Sequence, residues 1–345
     1  MKKGYAYDDI LISPKRSRLD SRQEVDVTIP LFEDFELEKP VISANMSTVT
    51  ESEMADSMAK KGGVGIIHRF IDVEEQAREI QKVDGKCGGC VGVDEDYVTN
   101  VSKLLEAGAD FICVDVAHGH LEKCLEAVSI IREEYPQLNL MAGNVATKQG
   151  VMDLFEQGAD CVKVGIGGGS MCETRRVAGI GVPQATAVME GYEAKKIFSE
   201  NHPDRHFSIV ADGGIKRPGD AVKALVLGAD SVMIGGMFAS CRESSAEVVT
   251  RGGEEYKICY GMASKKAREE RDSESRGAAV EGDSGMKKVD GSVEEKMESL
   301  AKGIRSGFSY CGCMNIDEVR KKVGEDDIVE VTNSTINRNG AFGVK

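Results

Sequence analysis

The chain has 345 residues, 41% of them hydrophobic, enough for one large core or two ordinary ones. Its formal net charge of −14 argues against nucleic acid or an anionic membrane as a bulk partner, while a local basic pocket could still hold a small phosphate. Ten cysteines without an export signal read as reduced thiols, and no apolar run approaches transmembrane length, so a soluble, cytoplasmic protein is expected.

The opening Met1-Lys2-Lys3-Gly4-Tyr5 carries no apolar run after its lysines, unlike a signal peptide. A first short apolar run, 40–46, ends in Ser43-Ala44-Asn45-Met46, where Met46 is suited to packing, including against a flat ligand. A second follows at 63–68. The third, 86–92, contains Cys87-Gly88-Gly89-Cys90, with the spacing of redox and zinc sites. It leads into more strand instead of a helix, and Cys311-Gly312-Cys313 is not a usual zinc partner, so structural thiols are expected. The fourth run, 111–116, ends Asp115-Val116-Ala117-His118-Gly119-His120. Its carboxylate can bind a ribose, and its histidines are either acid–base groups or ordinary hydrogen-bonding partners. The fifth, 138–144, ends at Asn144, a polar contact for a substrate.

The sixth run, 161–166, opens the most informative stretch: Val164-Gly165-Ile166-Gly167-Gly168-Gly169-Ser170-Met171-Cys172-Glu173-Thr174-Arg175. Glycines allow positive φ and close backbone approach, and successive N–H groups can cradle an anion. A cysteine in that setting reads as a nucleophile beside a phosphate-bearing substrate, or as a buried residue after a tight turn. The seventh run, 208–213, ends Ala211-Asp212-Gly213-Gly214, and the eighth, 231–235, ends Ile234-Gly235-Gly236. Both offer bare backbone N–H groups, to which Ser170 can add its hydroxyl. Asp212 is suited to a sugar's hydroxyls or to capping the next helix. Together these residues read as a nucleotide monophosphate site.

A phrase recurs before three of these runs: Leu105-Glu106-Ala107-Gly108-Ala109-Asp110, Phe155-Glu156-Gln157-Gly158-Ala159-Asp160 and Leu225-Val226-Leu227-Gly228-Ala229-Asp230. Each predicts a helix ended by glycine, a two-residue turn and a short strand. Eight strands alternating with helices fit a TIM (β/α)8 barrel, with a doubly wound open sheet as the alternative. Site residues spread over many strand ends favour the barrel. Residues 265–292 are charged, small and free of aromatics, which predicts a mobile loop, either an active-site flap or a disordered insert. Its place after the strand-like Glu255–Tyr260 favours the flap. The tail through Asp327–Thr332 reads as an added strand, and the whole chain as a single domain, 1–345.

Taken together, these residues resemble the IMP dehydrogenase/GMP reductase family over nearly the whole chain. The resemblance implies a TIM barrel, usually tetrameric, in which Cys172 attacks C2 of a purine nucleotide. It implies Ser170, Gly213, Gly214, Gly235 and Gly236 around the phosphate, and Asp212 on the ribose. Gly261, Met262, Met46, Asn144 and Arg175 join the substrate contacts, and Asp115, Ala117 and Arg69 the cofactor side. Carbonyls of Gly167, Gly169 and Cys172 would hold a monovalent cation, potassium. Only residues 69–89 separate His68 from Cys90, so the CBS modules usual in the dehydrogenases have no room there. No tyrosine lies between Gly261 and Glu281 to form their water-activating Arg-Tyr flap pair. Pro14-Lys15-Arg16-Ser17, Ser21–Asp26, His68-Arg69-Phe70 and Val331-Thr332-Asn333-Ser334 look like the bacterial reductase branch, whereas Val177–Gln184 is more dehydrogenase-like.

The implied reaction is NADPH-dependent reductive deamination of GMP to IMP and ammonia by a homotetramer, with Cys172 as nucleophile and Thr174 and Glu281 as the proton-transfer pair. The alternative is a CBS-less IMP dehydrogenase using NAD. Glu173, Ser47 and Asp283 depart from the family pattern, and Glu173 should point away from Cys172, because a facing carboxylate would oppose a thiolate. A non-catalytic nucleotide-binding protein would not need Cys172, Thr174 and Glu281, and a flavin-dependent barrel would not call for a cysteine in the glycine loop.

Overall fold

The computed structural model describes residues 2–94, 96–270 and 279–332, with backbone alone at 268–270. Eight parallel strands close into a barrel: β1 (Val41–Ser43), β2 (Val64–Ile67), β3 (Cys87–Val91), β4 (Phe111–Asp115), β5 (Leu140–Val145), β6 (Cys161–Val164), β7 (Ser208–Asp212) and β8 (Ser231–Ile234). Each neighbours the next in sequence, and β8 pairs back onto β1. The expected barrel is therefore present, with its strands where hydrophobic runs placed them. Every residue of β1, β2, β3, β6 and β8 is buried, as in a parallel sheet covered on both faces.

The outer ring is α1 (Ser52–Lys60), α2 (Val73–Gln81), α3 (Tyr97–Glu106), α4 (Glu122–Glu134), α5 (Lys148–Glu156), α6 (Gln184–Asn201), α7 (Pro218–Val226) and α8 (Val293–Tyr310). Only α2 lies between β2 and β3, so no module is inserted there. Among the described residues, no helix is long and apolar enough to cross a membrane.

The recurring phrase has a physical basis. Gly108, Gly158 and Gly228 take φ of 104°, 105° and 116°, and the next alanine N–H returns 3.0 Å to a carbonyl five residues back, reversing the chain. The following aspartate then clamps the preceding strand. Asp110, Asp160 and Asp230 each donate a backbone N–H at 2.9 Å to Cys87, Leu140 and Ile209 respectively. Each carboxylate accepts that same residue's N–H, at 2.9, 3.0 and 2.7 Å. The repeat thus sets neighbouring strands in register at the base of the barrel.

A hairpin, Ile29–Phe32 with Phe35–Leu37, packs there, its two phenylalanine rings 5.2 and 5.6 Å from the ring of Phe111 on β4. The added strand expected in the tail is present at Ile328–Glu330, and it pairs antiparallel with Ile10–Ile12.

The loop expected over 265–292 needs correction. It contains a helix, Lys265–Glu270, and a strand that completes a three-stranded antiparallel sheet: β9 (Val248–Arg251), β10 (Glu254–Tyr260) and β11 (Ser284–Lys288). Pairing with β10 organises β11 despite its charged composition, because ladder hydrogen bonds do not depend on side-chain polarity. Residues 271–278 of the expected flap lie outside the described residues, as do Asn333 and Ser334.

Candidate active site

A cavity of about 870 Å³ opens at the C-terminal ends of the barrel strands. The loop after β6 forms one wall. A Cβ on Gly165 would come within 2.1 Å of the Asp212 carbonyl, so glycine lets this loop lie against the end of β7. Gly167, at φ 81°, turns the loop, and the Cys172 N–H closes on the Gly169 carbonyl at 3.1 Å. Cys172 is partly exposed, whereas the other nine cysteines, Cys87 and Cys90 included, are buried. Its Sγ lies 3.2 Å from Thr174 Oγ1.

The segment 281–283 is strapped to this loop through backbone. Glu173 N–H donates to the Glu281 carbonyl at 2.7 Å, Asp283 N–H to Met171 at 2.9 Å, and Gly282 bridges to both Cys172 and Ser264. Glu281 is thereby placed on the cavity wall with Cys172 and Thr174. The Glu173 carboxylate turns to Arg176, 3.4 Å away, in the outward direction its proximity to the cysteine demands.

Across the cavity floor runs a charged chain. Lys163, on β6 and 1% exposed, pairs with Asp115 at the end of β4 and lies 3.8 Å from Asp212 at the end of β7. Asn144 sits at an irregularity in the β5–β6 ladder and donates to Asp212 at 2.8 Å and to the Gly165 carbonyl at 2.9 Å. Burial disfavours the charge on Asp115, but the Lys163 ammonium prevails and holds its pKa below the ordinary value. At Asp212 burial prevails over Lys163 and Asn144, and its pKa is raised. Burial likewise opposes the charge on Lys163, yet Asp115 dominates and the ammonium is strengthened. Lys163 went unassigned in the sequence because its partners come from strands distant in the chain.

The residues expected to hold a phosphate come together: Gly213 and Gly214, at φ 97° and 80°, line the cavity with Gly235, Gly236 and Ser170. A second lysine, Lys287 of β11, reaches them and donates to the Gly236 carbonyl at 2.6 Å. Sequence alone gave no signal for it beyond a charged loop. Met262 and Glu281, expected to face a base, line the cavity, as do Gly261 and Met46 from the expected substrate contacts. Ser47, one of the departures from the family pattern, directs its backbone N–H to Met262 Sδ at 3.4 Å. The opposite wall holds Arg69, Phe70 and Ala117, with Arg69 Nε donating to the Asp115 carbonyl at 3.0 Å.

Arg175, expected among the substrate contacts, does not line the cavity. Its side chain packs against Gly167 and Gly181 and donates to the Val182 carbonyl at 3.2 Å, which braces the loop from behind. His118 and His120 are also off the wall, and His120 pairs with Asp153 of α5 at 2.6 Å.

The sequence matches the IMP dehydrogenase/GMP reductase domain over residues 4–341. The chain belongs to that family. Inosine-5′-monophosphate dehydrogenase of Borreliella burgdorferi is 34% identical, over 92% of each chain. The dehydrogenase of Nitrosopumilus maritimus is 32% identical, over 93% of this chain and 94% of its own. Among solved structures, a cysteine-to-alanine GMP reductase from Trypanosoma brucei, in complex with guanosine 5′-monophosphate, is 26% identical with a TM-score of 0.92, covering 100% of this chain and 99% of that one. Membership in the dehydrogenase/reductase family makes this an oxidoreductase of purine nucleotides that works with a nicotinamide dinucleotide.

Proposed function

We propose that the chain is a GMP reductase, converting GMP and NADPH to IMP, ammonia and NADP⁺. The observation that carries this reading is the 3.2 Å approach of Cys172 Sγ to Thr174 Oγ1, with Glu281 strapped beside them. A dehydrogenase must activate water against a covalent adduct; a reductase must instead protonate a departing amine. A hydroxyl two residues from the nucleophile and a carboxylate on the same wall suit the second task.

In this reading Gly213, Gly214, Gly235, Gly236 and Ser170 hold the 5′-phosphate, and Asp212, positioned by Asn144 and Lys163, accepts from the ribose hydroxyls. Met46, Met262 and Gly261 face the base. Cys172 adds as thiolate to C2 of guanine. Thr174 and Glu281 deliver a proton to the amino group, which leaves as ammonia and gives a covalent Cys172 intermediate. NADPH supplies a hydride to C2. The electron pair of the C–S bond then returns to sulfur, releasing IMP and the thiolate.

The cofactor wall fits such a dinucleotide. Asp115 keeps a partly exposed carboxylate charged through Lys163, suited to ribose hydroxyls, and Arg69 offers a cation for an added 2′-phosphate. For potassium, the Gly167, Gly169 and Cys172 carbonyls remain the expected ligands. The Gly169 oxygen already accepts the Cys172 N–H and retains a second lone pair. A homotetramer is the expected assembly.

A CBS-less IMP dehydrogenase is the second reading, favoured by the names of the 30–34% identical relatives. Product analysis from the reverse direction separates the two. With IMP, NADP⁺ and ammonium, a reductase returns GMP as ammonia captures the adduct. Formation of xanthosine monophosphate instead would overturn the reductase reading.

A further inference from the structure

We infer that Lys287 is the charge partner of the substrate's 5′-phosphate and that it sets the preference for a nucleotide over a nucleoside. The inference rests on the site taking a purine nucleotide, and deepens that reading.

β11 alternates its side chains. Lys288 points away from the site to Glu254, while Lys287 points inward and is partly buried. Its Nζ donates to the Gly236 carbonyl at 2.6 Å. The point where a Cβ on Gly236 would stand lies 3.1 Å from Lys287 Nζ and 3.0 Å from Ser170 Oγ, so ammonium and hydroxyl converge on one small volume beside the glycine loops.

Among the described residues no carboxylate lies within ion-pair distance of Lys287. The nearby acids are engaged elsewhere: Asp290 with Lys296, and Glu254 with Lys288. Directly across the ladder stands another cation, Lys257, whose ammonium is held by the carbonyls of Arg242 and Ser244. One carbonyl leaves two of the three Lys287 donors without a described partner and its charge uncompensated, in a chain whose net charge is −14. Of the other lysines that line the cavity, Lys163 pairs with Asp115, Lys216 with Asp8 and Lys296 with Asp290, whereas no described carboxylate pairs with Lys287.

A phosphate dianion between these groups would receive backbone N–H donors from the barrel loops and a point charge from the flap sheet. Glu281 and Lys287 belong to the same flap segment, so the phosphate would also hold the flap against Cys172.

The test is calorimetric titration of the full chain with GMP and with guanosine, for wild type, Lys287→Met and Lys287→Arg. The expected result is a roughly 10- to 100-fold weaker GMP affinity in Lys287→Met, comparable to losing a charge-assisted hydrogen bond. Lys287→Arg should stay within about threefold, and guanosine affinity should be unchanged across all three, as only the phosphate contact is altered. The salt dependence of GMP binding should also shrink in Lys287→Met. Unchanged GMP affinity in Lys287→Met, or an equal loss for GMP and guanosine, would overturn the inference. Failure of the wild-type chain to bind GMP at all would instead count against the proposed function.

Discussion

Lys163 stands 3.8 Å from the Asp212 carboxylate while its ion pair is made with Asp115, so one buried ammonium serves the ends of two barrel strands. Asp115 lies on the wall proposed for the cofactor and Asp212 beside the glycines proposed for the phosphate. Their separation is set by the barrel, and the lysine between them keeps two carboxylates from repelling across a buried floor.

Replacing Lys163 by methionine should therefore damage both halves of the site. Removing one partner of a buried pair costs about 3–5 kcal/mol of stability, measurable by urea denaturation. Losing a nearby cation raises a carboxylate pKa, so both Asp115 and Asp212 should protonate at higher pH than in the wild type. Asp212 already lies above its ordinary value, and the acid limb of kcat/KM should move further upward in the variant. A variant with wild-type stability and an unmoved acid limb would exclude the coupling.

Cys172 should be the thiol that alkylates first. Burial pushes Cys87, Cys124 and Cys241 up to about 12, and they are sealed from reagent, while Cys172 lines the cavity. Iodoacetamide at mildly alkaline pH should add one carbamidomethyl group, located by peptide mass spectrometry, with loss of activity in step and protection by GMP. Modification elsewhere, with Cys172 untouched, would contradict its assignment as nucleophile.

Thr174→Ala and Glu281→Gln should each lower kcat by about 10²- to 10⁴-fold, the usual contribution of a positioned proton-transfer group, with KM for GMP changed only a few-fold. Because they act as a unit, the double variant should be little worse than either single one. Multiplicative losses in steady-state kinetics would mean they serve separate steps.

Asp230 anchors the last copy of the glycine–alanine–aspartate repeat and is held by Lys195 at 2.7 Å and Arg320 at 2.9 Å. Burial opposes its charge, but the two cations prevail and its pKa is lowered. A lowered acid contributes stability above its unfolded pKa, about 3.9, and loses it as pH falls through the folded value. Asp230→Asn should then be destabilised by about 3 kcal/mol at neutral pH, with the gap to wild type closing in strong acid. Equal destabilisation at every pH would show that the ion pairs contribute nothing.

The repeat shows why so much of the fold was legible. Gly108, Gly158 and Gly228 end helices by local geometry alone, and the strands that follow are apolar because both faces are covered. The glycine loops were legible for the same reason. Lys163 and Lys287 were not, since each acquires meaning only from residues on other strands: Asp115 and Asp212 for one, Gly236 for the other. Composition hid β11, whose order comes from pairing with β10, and it gave no sign that Arg175 would brace the loop instead of facing the cavity.

The most direct test of the proposed activity follows nicotinamide absorbance with the purified chain, supplying GMP with NADPH in one cuvette and IMP with NAD⁺ in another. A GMP reductase gives GMP-dependent loss of NADPH, absent in Cys172→Ala, and no NADH from IMP. NADH formation from IMP without GMP-dependent NADPH consumption would contradict the proposed activity and make the chain a dehydrogenase.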